Sequence, residues 1–248
     1  MSLDQAGSAA NMTGDSLLRR LSPTSQLFLA LLIGILPTVA FSALFVGFDL
    51  RALGLALGGY LVGAFFALAL IRQGYTHRML GLGNLTTIFR MTMVAALLAP
   101  IAGVAMPWAV VVVATFALVL DGLDGHLARR AGLVSSIGAT LDMEIDSILA
   151  LILALNLWAA GIAGPWIMLL GLPRYLFIVA AKLLKWLDKP LPPSLSRRVI
   201  CVVQVASLIG LYAQILPDVF VIPVAMIVAA LLIWSFGRDI IWLWRSRP

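Results

Sequence analysis

Eight apolar segments, each about as long as a bilayer-spanning helix requires, recur along this 248-residue chain at roughly residues 27–48, 52–71, 85–105, 107–123, 140–163, 166–187, 199–216 and 219–242. Few architectures tolerate that pattern. In hydrocarbon every backbone N–H and C=O has to be satisfied within the protein, and for segments of this length the solution is the helix. Composition agrees: hydrophobic residues make up 62% of the chain and charged residues 11%, against roughly a quarter charged in a soluble domain. The sequence therefore predicts an all-α polytopic membrane protein of eight helices.

The net charge of +6 sits mainly in short connections between apolar runs, which is how orientation in a bilayer is set, so nucleic acid is not the expected partner. Arg19, Arg20, Arg72, Arg78, Arg129, Arg130 and the lysines and arginines from Lys182 to Arg247 fall on one side of the alternation, and Arg51 alone on the other. By the positive-inside rule the first side is cytoplasmic. Cys201 is the single cysteine, so no intramolecular disulfide forms, and its place in an apolar run predicts packing. Residues 1–22 read as a polar cytoplasmic tail. Gly54, Gly58, Gly59 and Gly63 have the small-residue spacing that suits close helix contact in the second span.

Against this background one stretch stands out. Five of the eleven acidic residues lie between Asp121 and Asp146, with apolar sequence on both sides. On a helix Asp121, Asp124, Gly125 and Ala128 share a face, and so do Gly138, Asp142 and Asp146. If the two helices pack as an antiparallel pair, four carboxylates converge at the cytoplasmic membrane edge. Each ionised carboxylate near bilayer depth costs on the order of 3 kcal/mol, and like charges raise that further. Divalent cations relieve both penalties, and an all-oxygen ligand set favours Mg²⁺ or Mn²⁺ over zinc. Two ions in such a site can clamp a pyrophosphate for in-line attack. The competing explanation, ion pairs with Arg129 and Arg130 at a wet helix end, leaves too few cations for five acids. Glu144 falls on another face and reads as structural.

The spacing Asp121-x2-Asp124-Gly125-x2-Ala128-Arg129-x8-Gly138-x3-Asp142-x3-Asp146 resembles the complete signature of the CDP-alcohol phosphotransferases. Asn84-x2-Thr87-x2-Arg90 is similar to that family's pattern at the start of its first core helix. The resemblance implies a six-helix catalytic membrane domain over 80–248, preceded by two accessory transmembrane helices over 23–79. It further implies two Mg²⁺ or Mn²⁺ ions on Asp121, Asp124, Asp142 and Asp146, and nucleotide binding by Gly125, Ala128, Arg129 and Gly138. Asp146 would be the catalytic base, and the enzyme a homodimer. The implied reaction moves a phosphatidyl group from CDP-diacylglycerol to an alcohol acceptor with release of CMP, at the cytoplasmic face of what is expected to be a bacterial inner membrane.

Two alternatives remain open at this level. A small CDP-alcohol could donate to diacylglycerol, and membrane aspartates also mark the ion paths of carriers. For the acceptor, the basic residues Arg174, Lys182, Arg197 and Arg198 are the candidates, and together they suit a phosphorylated one. Ser147 stands where glycerophosphate-using members commonly place a lysine, which weakens that acceptor. Gln204 is expected to bond another helix.

Overall fold

A computed structural model describes residues 22–73, 80–131, 136–189, 191 and 194–245, the side chains of 123–131 and 136 being outside that description. Within these residues the long elements are helices: α1 Pro23–Val46, α2 Leu50–Arg72, α3 Gly81–Ala96, α4 Pro107–Ala131, α5 Ser136–Ala159, α6 Met168–Gly171, α7 Pro173–Leu183, α8 Leu195–Tyr212 and α9 Val221–Arg245. Their boundaries follow local chemistry. Ser22 Oγ accepts the Ser25 amide at 3.2 Å and Pro23 opens α1 where a missing N–H does no harm. Gly47, at φ 75°, closes it. The Asp49 carboxylate then accepts the amides of Arg51 and Ala52 at 2.9 and 2.8 Å and starts α2.

Among the described residues five helices are long and apolar enough to cross a membrane: Pro23–Val46, Leu50–Arg72, Gly81–Ile101, Leu195–Tyr212 and Asp218–Arg245. They make the chain an integral membrane protein. The predicted 166–187 helix is instead a pair, Pro165–Gly171 and Pro173–Leu183, bent by 66° and a sixth span if taken as one. Pro173 cannot donate to the preceding turn, which ends α6. Gly171 packs directly on α5, where a Cβ would stand 2.7 Å from Leu151 Cα. The two acid-bearing helices differ from the other spans for a chemical reason. The apolar part of α4 is only Pro107–Gly122, and the first half of α5 carries Asp142, Glu144 and Asp146.

Helices α1 and α2 are not a detached anchor: both pack on α3. Ala52, Ala56, Tyr60, Ala64, Ala67 and Ile71 form the buried stripe of α2, a helical period of small side chains that lets backbones approach. Tyr60 Oη donates to the Leu31 carbonyl at 2.7 Å, and Gly34 leaves room for that hydroxyl and for Thr92 of α3. Of the four glycines expected at the contact, Gly59 faces Leu98 and Gly63 faces Met91, while Gly54 and Gly58 face open space. The alanines, one helical face away, carry most of the contact. At the other end of α1 the Gln26 side chain, itself buried, accepts the Leu80 amide at 3.0 Å and so caps the start of α3.

The remaining helices close around α5. Asn156, buried, donates to Leu97 O and Ile152 O, both at 2.8 Å, tying α5 to the end of α3. Gln204 of α8 donates to Leu170 O of α6, the interhelical bond its position suggested. Cys201, expected to be packed, is exposed on α8, because the buried face of that helix runs through Ile200, Gln204, Val205 and Leu208. Trp186 and Trp244 meet edge to face, with ring centroids 5.5 Å apart, where α9 ends.

Candidate active site

The site is built from one face on each of three helices. Ala117 and Asp121 are one turn apart on α4, and Asp142 and Asp146 one turn apart on α5. Between them lies Arg90 of α3, whose side chain is 0% exposed. Its Nε donates to the Ala117 carbonyl at 3.0 Å. One terminal nitrogen donates to Asp142 Oδ1 at 2.5 Å and stands 3.2 Å from Asp121 Oδ1. The other bonds Asp146 Oδ1. A planar guanidinium with several fixed donors suits this: a lysine ammonium would present a single point charge.

Ligand atoms of Asp121, Asp142 and Asp146 all lie within 4.8 Å of one another. The three side chains are 25%, 33% and 35% exposed, so the cluster opens on the side away from Arg90. Among the described residues one cation, Arg90, faces three carboxylates, and that imbalance favours additional positive charge. Oxygen-only donors at this spacing fit a hard divalent cation such as Mg²⁺ or Mn²⁺. Asp124, Gly125, Ala128 and Arg129 lie on the same helix, α4, but their side chains are outside the described residues. The same holds for Arg130; among the described residues the counter-charge is Arg90.

Gly138 lies one turn before Asp142 and lines a small apolar cavity with Asn84, Ile88 and Leu141 of the core and Leu27 and Ile71 of the accessory helices. Asn84 donates to the Leu80 carbonyl and Thr87 Oγ1 to the Gly83 carbonyl at 3.0 Å. These bonds consolidate the first turns of α3, and Arg90 of the same motif reaches the carboxylates of Asp121, Asp142 and Asp146.

The acceptor candidates are distributed differently. Arg174, at the start of α7, bonds Glu144 of α5, so the acid that fell off the motif face holds this arginine. Arg197 Nε donates to Asp239 Oδ2 at 2.9 Å across α8 and α9. Arg238 bonds the hydroxyls of Ser194 and Ser196 and reaches the other oxygen of Asp239 at 3.3 Å. It also lies over the Trp234 ring, 5.2 Å from its centroid. Arg198 and Lys182 are exposed. Asp239 was not anticipated from sequence; its only local signal is an acid next to Arg238 near the end of an apolar run, and its burial depends on α8 covering it.

A family model described as CDP-alcohol phosphatidyltransferase matches residues 80–235. The chain belongs to that family. No curated protein and no solved structure matches it. A CDP-alcohol phosphatidyltransferase is a membrane transferase, and the match takes in Arg90, all four motif aspartates, Arg174 and Arg197. In this CDP-alcohol phosphatidyltransferase α1 and α2 precede the matched region while packing against its first helix.

Proposed function

We propose that the chain transfers a phosphatidyl group from CDP-diacylglycerol to a hydroxyl acceptor, releasing CMP, with the site facing the cytoplasm. The observation that carries this reading is the convergence of Asp121, Asp142 and Asp146, within 4.8 Å, at a half-open site inside the region matched by the family. Asp121, Asp142 and Asp146, with Asp124 on the same helix, would hold two Mg²⁺ or Mn²⁺ ions. Bound there, such ions supply charge neutralisation for a pyrophosphate and its leaving oxygen.

The chain's own residues do the rest. Asp146 takes the proton of the acceptor hydroxyl as its oxygen bonds the lipid-side phosphorus. The bond from that phosphorus to the bridging oxygen breaks, and CMP leaves with the electron pair. Arg90 fixes the orientation of the Asp146 carboxylate, so the base is in place before substrate arrives. Gly125, Ala128, Arg129 and Gly138 are assigned to the nucleotide by motif position. Arg174, Lys182, Arg197 and Arg198 are assigned to the acceptor, and the supporting observation is that Arg197 and Arg238 both reach Asp239. Guanidinium groups drawn to one place suit a phosphorylated acceptor. The charge asymmetry of the loops supports the cytoplasmic orientation, the eight apolar segments of the sequence support the eight-span count, and the family resemblance supports a homodimer.

The test is CMP release from CDP-diacylglycerol in detergent with Mg²⁺ and a panel of acceptors, beside a second arm with CDP-choline and diacylglycerol. Release in the first arm, abolished by EDTA and restored by Mg²⁺ or Mn²⁺, is the expected outcome. Release only in the second arm would reverse donor and acceptor. No release in either arm, with solute flux in proteoliposomes, would point to a carrier.

A further inference from the structure

A cation with no exposure, placed beneath three carboxylates from two other helices, has consequences beyond neutralising them. Arg90 is anchored independently of the acids, because its Nε donates to a backbone carbonyl, Ala117 O, at 3.0 Å. That bond sets the plane of the guanidinium from α4 itself. The two terminal nitrogens then address Oδ1 of Asp121, Asp142 and Asp146. A carboxylate offers about four lone-pair directions, so a bond from below leaves acceptor capacity on the outer side, where each aspartate is partly exposed. An arginine does not lose its proton in a protein, so this charge is constant.

We infer that Arg90 is a positioning residue forming a permanent cationic floor. It holds the three carboxylates at their mutual spacing before a divalent cation arrives and remains in place once one is bound. The inference rests on the metal-binding reading given above. With three carboxylates on one guanidinium, Arg90 offsets their mutual repulsion, a task that a bound divalent cation would share. Arg90 would therefore matter most when metal is absent. A lysine at this position would keep the charge and lose both the Ala117 anchor and the fork that spans two helices.

The experiment measures the melting temperature of the full chain in detergent, in EDTA and across a Mg²⁺ titration. It compares wild type, Arg90→Met, Arg90→Lys and a core control, Leu153→Ala, whose side chain is fully buried. Arg90→Met is expected to melt on the order of 10 °C lower in EDTA, with saturating Mg²⁺ recovering more than half of the loss. Its Mg²⁺-induced shift then exceeds that of wild type, whereas Leu153→Ala loses the same amount in both conditions. Arg90→Lys is expected to raise the Mg²⁺ midpoint by about tenfold, the usual scale when the partner orienting a ligand is lost. Equal Mg²⁺-induced shifts in wild type and Arg90→Met would overturn the role. Should Arg90→Met fail to fold in both conditions, the Arg90→Lys midpoint decides, and an unchanged midpoint overturns the inference. A wild type that Mg²⁺ does not shift would instead remove the metal-binding reading on which the inference stands.

Discussion

The two charged regions of this protein are inverses of each other. Around Arg90 one cation serves three carboxylates, from Asp121, Asp142 and Asp146; around Asp239 one carboxylate serves two cations, Arg197 and Arg238. Both shared ions are buried, Arg90 fully and Asp239 almost so, and among the described residues the opposite charges outnumber them on the partly exposed side. A buried ion of one sign holding several of the other keeps the cluster ordered and leaves it electrostatically unsaturated. The first region is thus suited to additional cations and the second to an anion. On the proposed reaction these are the CMP-leaving half and the acceptor half.

That division can be broken most directly at the acids. Asp146→Asn keeps the shape and removes the base, and Asp121→Asn removes a ligand. Each is expected to lower the rate of CMP release by about 10²- to 10⁴-fold without abolishing binding of a fluorescent CDP-lipid, which isothermal or anisotropy titration would report. Retained turnover in Asp146→Asn would end its assignment as base. The opposite region is sharpened by Arg197→Gln. Loss of one charged contact to a bound anion corresponds to about a 10- to 100-fold rise in KM, expected for the acceptor and not for the CDP-linked donor. A rise for the donor instead would merge the two regions into one nucleotide site.

Smaller effects test the support of the first region. Gln26→Ala removes the side chain that accepts the Leu80 amide at the start of α3. The loss of about 1 kcal/mol should lower the melting temperature by roughly 2–4 °C. It should also raise the Mg²⁺ midpoint, in the direction expected for Arg90→Lys but by less, because α3 carries Arg90. An unchanged melting curve would show that α3 needs no brace from α1. Lys182→Gln, at an exposed site, is expected to change stability by no more than about 0.5 kcal/mol and to raise acceptor KM by less than Arg197→Gln does, because a solvated charge contributes less. An unchanged acceptor KM would remove Lys182 from the acceptor half.

Part of the acid side was legible from residue spacing, since Asp142 and Asp146 follow from a helical period within one element; Asp124, expected beside Asp121, lies outside the described side chains. Glu144 was separable from them by the same period, and it does face elsewhere, toward Arg174. Arg90 could be named from its motif but not placed, because its partners lie 52 and 56 residues away. The glycines of α2 misled in part because GxxxG-like spacing names a face without saying which face is turned inward; the alanine stripe is the one buried. The break at Pro173 was hidden by continuous hydropathy across 166–187.

What the sequence determined by itself, then, was local: apolar length and the helical faces on which the acids sit. Each depends on the 3.6-residue period or on bilayer thickness, and neither needs knowledge of a neighbour. Only the tertiary structure decided which ions share a buried partner, that α1 and α2 brace α3, and that Arg90 lies beneath the carboxylates. Those outcomes depend on how helices distant in sequence cross and at what register, and no periodicity within a single helix encodes that.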